Sequence, residues 1–113
     1  MVSVADGSPR RDYLYVDDFV QALRVIANAP SRKVRIYNAG SGVSYSVRQV
    51  IDTLCDILGE KLPVTFRNER RPNEIDDCYA DYQRLSADFD WQPKIDLRHG
   101  LESMITAWKD CAY

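Results

Sequence analysis

Residues 46–59 spell out one complete helix, and that helix constrains the rest of the chain. Ser46 and Gln49 have capping-box spacing: the serine oxygen takes the Gln49 amide, and the glutamine side chain reaches back to the Ser46 amide. Val47, Val50, Ile51, Leu54, Ile57 and Leu58 recur at i, i+3, i+4, so one face is apolar. Gly59 stands where a C-terminal cap belongs. That face needs partners, and a chain of 113 residues fits one domain with one modest core.

The elements around this helix alternate. Residues 1–5 read as a short strand and Asp6-Gly7-Ser8-Pro9 as a turn. Residues 13–16 are aromatic and β-branched, hence strand or extended. Asp17 and Asp18 offer N-caps to a helix carrying Phe19, Val20, Leu23, Ile26 and Ala27 on one face, ended by residues 28–30. Residues 34–39 (VRIYNA) alternate as a strand does, up to Gly40-Ser41-Gly42. Residues 63–66 read as a strand and residues 67–77 as a charged loop. Asp81 caps a short helix with Tyr82, Leu85 and Phe89, broken at Trp91-Gln92-Pro93. Asp96 caps a last helix with Leu97, Leu101, Met104, Ile105 and Trp108 on one face. The order β, β, α, β, α, β, α, α predicts an α/β domain with few short strands and about four helices. So few strands leave edges to be covered, and residues 34–39 are the strand expected to have lost a neighbour. The chain therefore reads as a single partial domain, residues 1–113, of something larger.

Composition narrows the function classes. A net charge of −2 gives no basic field for nucleic acid or anionic lipid. No apolar run approaches the roughly 20 residues of a membrane span. The first ten residues lack a basic region followed by an apolar stretch, so no signal peptide is expected. Cys55, Cys78 and Cys111 form no CxxC pair, which predicts neither a disulfide framework nor a zinc site and fits a reducing cytoplasm. The one histidine, His99, reads as a solvated side chain near a helix start. No base, nucleophile or metal cluster is organised, so no catalytic and no metal-ligating residue is predicted. No G-x-G-x-x-G occurs, so no cofactor is expected on this chain itself, and Gly40-Ser41-Gly42 reads as a tight strand-to-helix turn.

The arginines are more informative. Arg10-Arg11 precede a strand and Arg70-Arg71-Pro72 lie in a loop after another. Arginine presents a planar fork of donors that matches phosphate oxygens. Two such arginines from separate segments would clamp a diphosphate. The spacing equally allows solvated charges answering Asp12, Glu69 and Glu74.

A run of motifs then becomes legible. Residues 11–18 (RDYLYVDD) resemble the RD-aromatic-x-aromatic-V-x-D segment of NAD-dependent epimerases and dehydratases of the extended short-chain dehydrogenase/reductase family. Asp6-Gly7-Ser8 resembles the turn ahead of it, residues 36–42 (IYNAGSG) the V-Y-N-x-G-S-G strand and turn, and Ser46-Val47 the opening of the matching helix. Arg71-Pro72-Asn73-Glu74 resembles R-P-G-D, Tyr79-Ala80-Asp81 the later A-D cap, Trp91-Gln92-Pro93 the G-W-x-P turn, and residues 97–108 the closing L-x-x-G-L helix. The likeness runs in family order from about Val4 to Asp110.

The resemblance implies a small C-terminal substrate-binding domain, with the Rossmann part absent. It implies that Arg11 and Arg71 bind phosphates of a nucleotide-diphosphate sugar, a UDP-sugar by the likeness to UDP-hexose 4-epimerases. Glu74 would lie near the nucleotide ribose, though it is longer than the family's aspartate and Asn73 replaces the glycine before it. Cys78 would face the sugar, or else is a small buried hydrophobe. Asp90 replaces the glycine before Trp91. The family's NAD loop and Y-x-x-x-K pair would lie upstream of Met1, so NAD is expected in the full-length enzyme and this chain is expected to be inactive alone. Alternatives are a non-catalytic binding module, or the same portion of a dehydratase, decarboxylase or reductase. A missing NAD-binding domain, or self-association, is expected to cover the bare edge and apolar helix faces.

Overall fold

In a computed structural model, which describes residues 1–30 and 36–111, the Ser46 capping box closes as the sequence requires. Ser46 Oγ accepts from Gln49 N at 3.1 Å, and Gln49 Oε1 accepts from Ser46 N at 2.8 Å. The helix ends at Gly59 in the left-handed conformation (φ 70°), which costs glycine nothing. Among the described residues the elements are β1 (Val2–Val4), β2 (Arg10–Asp12), α1 (Val16–Ala27), β3 (Ser44–Ser46), α2 (Val47–Leu58), β4 (Val64–Phe66), α3 (Gln83–Phe89) and α4 (Leu97–Asp110). The architecture is α/β, with few short strands and four helices, as expected.

The strands form two pairs. β1 runs parallel to β4, with Val2 opposite Val64 and Val4 opposite Phe66. β2 runs antiparallel to β3, with Arg10 opposite Ser46 and Asp12 opposite Ser44. The other edge of β2 is also closed: Arg10 N donates to Asp76 O at 2.8 Å, and Cys78 N to Arg10 O at 3.2 Å. The chain thus wraps the polar triplet Arg10–Asp12 on both sides, which satisfies its backbone groups.

Several expected positions shift. The second strand lies at residues 10–12 rather than 13–16, because pairing with β3 and the 76–78 segment decides it, not side-chain propensity. The expected strand over residues 34–39 is not found. Residues 34 and 35 lie outside the described residues, and residues 36–39 carry no strand; the third strand is β3. Asp17 and Asp18 do not cap α1, whose N-cap position is Tyr15 without a side-chain bond. Asp18 is buried and accepts instead from Lys94 N at 3.0 Å and Ile95 N at 2.9 Å.

The core gathers Ala22, Leu85 and Trp91, with Leu14, Val25, Tyr37, Ala39, Tyr82 and Phe89 packed around them. Tyr82 meets Trp91 edge to face (5.6 Å between centroids), and Tyr37 meets Phe89 likewise (5.3 Å). α1 therefore turns Ala22 inward and leaves Val16, Phe19, Val20, Leu23 and Ile26 exposed, so its apolar face is uncovered within this chain. In α4, Leu101 is buried, while Met104 and Trp108 on the same predicted face are exposed. His99 is exposed as expected, with its ring nitrogen 2.6 Å from Asp96.

Two residues occupy left-handed backbone where the resembling family has glycine. Asn73 has φ 59° and Asp90 has φ 54°. Short side chains that bond locally tolerate that region best after glycine, so both replacements keep the turns.

Candidate functional site

The path of the chain into α2 fixes the direction of β2. Val47 N donates to Pro9 O at 3.2 Å and Arg48 N to Gly7 O at 3.0 Å, tying the first turn of α2 to the segment before β2. Strand alternation then sends consecutive side chains to opposite faces. Arg10 turns toward β3: its Nη2 donates to Ser44 O at 2.7 Å, its Nε to Ser44 Oγ at 3.3 Å and its Nη1 to Gln49 Oε1 at 3.2 Å. It is a structural clamp between β3 and α2.

Arg11 turns the other way and meets the 70–77 loop. Its Nη1 donates to Arg10 O at 2.7 Å and Ile75 O at 2.6 Å. Its Nη2 donates to Glu74 Oε1 at 2.6 Å. Arg71 reaches the same carboxylate from within the loop, Nε to Oε2 at 2.9 Å and Nη2 to Oε1 at 3.4 Å. The Glu74 side chain is only 8% exposed, against 34% for Arg11 and 78% for Arg71. Two arginines from separate segments thus converge on one carboxylate. Neighbouring Arg70 pairs with Asp76 at the surface, an exposed contact of small energetic weight.

Arg11 stands between two clefts. One, of about 310 Å³, is lined by Arg11, Arg71, Glu74, Val4, Ala5 and Pro9, with Asp6, Glu69 and Val47 completing it. The other, of about 440 Å³, is lined by Arg11, Leu14, Asn38, Gly40, Cys78 and Tyr79 among others. Cys78 is exposed in this chain. Three of the four predicted site residues therefore form one cluster, and Cys78 lies across Arg11 from it.

Sequence reasoning did not single out Asp12, which holds the wall of the second cleft. Its Oδ1 accepts from Ser41 N at 2.8 Å and Ser41 Oγ at 2.6 Å. Its Oδ2 accepts from Gly42 N at 3.0 Å and Ala80 N at 3.1 Å. Burial pushes its pKa up, but the Ser41 hydroxyl and the Ser41, Ala80 and Gly42 amides outweigh that and hold the carboxyl below its ordinary value of 3.8. The signal lay in the adjacency of RD and the small GSG turn, which only the fold brings together.

The approach at Gly40 is close enough to need glycine. A Cβ there would sit 2.5 Å from Ala80 Cβ and 2.6 Å from Asp12 Oδ2. Gly40→Ala is expected to cost about 1–3 kcal/mol, read as a lower thermal midpoint. An unchanged midpoint would remove this contact from the account.

Comparisons with known proteins bear on the fold and family. The sequence profile described as GDP-mannose 4,6 dehydratase matches residues 1–104. The UDP-glucose 4-epimerase of Bacillus subtilis (strain 168) is 32% identical over 109 residues, covering 92% of this chain and 30% of its own length. Among solved structures, UDP-glucose 4-epimerase from Thermotoga maritima with UDP-glucose superposes with a TM-score of 0.85 at 26% identity, over 97% of this chain and 35% of that one. The dTDP-glucose 4,6-dehydratase of Bacillus anthracis in complex with NAD superposes with a TM-score of 0.77 at 21% identity, over 96% and 34%, and shows a shared fold. The chain spans about a third of the length of the relatives it matches.

Proposed function

The chain belongs to the GDP-mannose 4,6 dehydratase family, as a C-terminal portion of an extended short-chain dehydrogenase/reductase, and from that membership we propose that it grips the diphosphate of a nucleotide sugar for an NAD-dependent 4-epimerase. One observation carries the reading: Arg11 from β2 and Arg71 from the 70–77 loop meet at a single anion, the Glu74 carboxylate, beside an open cleft. A site that gathers two planar donor forks around one carboxylate has the shape and sign that a phosphate requires. The sugar would then lie across Arg11, in the cleft lined by Asn38, Gly40 and Cys78, with Glu74 toward the ribose.

In this reading the chain binds and orients. Anchoring the diphosphate, remote from the reacting carbon, contributes positioning and lets binding energy act on the chemical step. NAD supplies hydride transfer, on a part of the enzyme other than this chain. No tyrosine in the sequence has lysine four places on, so no Y-x-x-x-K proton-transfer pair is available within it. The family profile and the dehydratase superposition favour 4,6-dehydration as the second reading, and both readings use the same phosphate grip.

The exposed apolar face of α1, at Val16, Phe19, Val20, Leu23 and Ile26, supports the reading that this domain packs against a further body, the NAD-binding part or another copy. Among the described residues no helix is long and apolar enough to cross a membrane. The three cysteines are unpaired, which fits the cytoplasm as the proposed setting.

UDP titrated into the chain is expected to shift the amide resonances of β2 and the 70–77 loop. Arg71→Ala is expected to weaken binding about tenfold, roughly the 1.4 kcal/mol of a good charge-assisted contact. Arg11→Lys keeps the charge but loses the fork, and is expected to weaken it comparably. Spectra that do not respond to UDP would overturn the assignment.

A further inference from the structure

We propose that Glu74 is a built-in competitor for the phosphate: it holds the Arg11 and Arg71 guanidinium groups in the free protein and gives up Arg71 when a phosphate arrives. The inference rests on the reading that these arginines take a diphosphate, and adds what governs the affinity of that site.

The geometry is that of an occupied anion site. Glu74 Oε1 lies 2.6 Å from Arg11 Nη2 while its Oε2 lies 2.9 Å from Arg71 Nε, so two oxygens of one anion engage both arginines. A phosphate that takes the Nε–Nη2 edge of Arg71 needs the N–H groups that Glu74 now holds, and neither makes a full-strength bond to two anions at once. Leaving the carboxylate in place beside a diphosphate would also set like charges side by side in a half-buried cleft, which is repulsive at the effective dielectric of such sites.

The two arginines differ in how firmly they are held. Arg11 is fixed by the Arg10 and Ile75 carbonyls as well as by Glu74, so three of its five N–H groups are donated. Arg71 is 78% exposed and, among the described residues, its side chain bonds only to Glu74. The exchange therefore falls on Arg71, which swings from carboxylate to phosphate, while Arg11 keeps its place. Side-chain length matters as well. Glu74 spans both arginines with one methylene more than aspartate has, and a shorter carboxylate on the same backbone would not reach both.

The opposite role is equally concrete: Glu74 as a scaffold without which the arginines scatter. The two roles predict opposite signs. Inorganic pyrophosphate titrated calorimetrically into the parent chain, Glu74→Gln and Glu74→Asp distinguishes them. Glu74→Gln keeps the shape and removes the charge, and is expected to bind pyrophosphate about tenfold tighter. Glu74→Asp keeps the charge and frees one arginine, and is expected to bind about threefold tighter. Should Glu74→Gln fail to fold, by circular dichroism, the Glu74→Asp result alone decides. Equal or weaker binding by the folded variants, with the parent binding, overturns the competitor role and leaves the phosphate site standing. No binding by any of the three chains overturns both.

Discussion

Asp12→Ala is expected to cost about 3 kcal/mol of stability, because four donors lose their acceptor together. The Ser41 amide and hydroxyl and the Gly42 and Ala80 amides all converge on that carboxylate. Water reaches the half-exposed site and replaces part of the loss, which keeps the figure below a sum of four buried bonds. Asp12→Asn tests the same point with the shape preserved. An amide nitrogen in place of Oδ2 would face the Gly42 and Ala80 N–H groups donor to donor, so most of the loss should remain. Urea unfolding midpoints measure both, and an asparagine variant within 0.5 kcal/mol of the parent, roughly the range of an uneventful surface change, would remove Asp12 from its place at the hub. The pH dependence has a definite sign. The folded carboxyl titrates below its ordinary 3.8, so its contribution is complete above that value and is lost as pH falls through the lowered folded one. Asp6, bonded by Ser8, and Asp96, bonded by the His99 amide, are also lowered and remain in the variant. The parent should therefore lose stability on acidification below about pH 4 more steeply than Asp12→Asn, by the share belonging to Asp12 alone.

What the sequence made legible follows the range of the interactions involved. Ser46, Gln49 and Gly59 settle α2 among residues a few places apart, and every part of that reading is present in the structure. Residues 2–4 and 64–66 are recognisable as strands because their side chains suit a sheet. β2 and β3 were not legible: their residues are Arg, Asp, Ser and Tyr, and they become strands only through each other and the 76–78 segment. The apolar stripe of α1 is legible in the sequence, but which of its residues enters the core is not, because periodicity reports that a helix has an apolar face and not what covers it. The site divides in the same way. Arg11 and Arg71 stand out in the sequence through their motifs, whereas their shared carboxylate depends on how the 70–77 loop folds back over β2. Asn73 enters that loop with positive φ, a requirement invisible until the backbone is seen.

Trp91→Ala is expected to be the most damaging single core change, about 3–5 kcal/mol, against a total of roughly 5–15 kcal/mol for a domain of this size. Trp91 is 4% exposed, and its indole N–H donates to Asp18 O at 3.0 Å. It closes the 91–95 turn onto the first turn of α1, where the Asp18 carboxylate takes the Lys94 and Ile95 amides. Removing the ring leaves a cavity beside Leu85 and Ala22 and strands that arrangement without its cover. Trp91→Phe keeps much of the buried surface and loses the indole bond, so about 1–2 kcal/mol is expected. In thermal melts the alanine variant should fall by roughly 12 °C or more and the phenylalanine variant by about half that or less. The effect should reach the binding cleft. Trp91 supports Tyr82 edge to face, and the Tyr82 ring lies so close to Gly42 that an added Cβ would be 3.1 Å from it. Gly42 in turn donates its amide to Asp12, the neighbour of Arg11. A Trp91→Phe chain that binds pyrophosphate more weakly at a temperature where it is fully folded would show that this line of contacts, and not bulk stability, sets the position of Arg11. A variant pair with equal melting temperatures would instead show that the ring contributes no more than its indole bond and would break the packing argument at its first step.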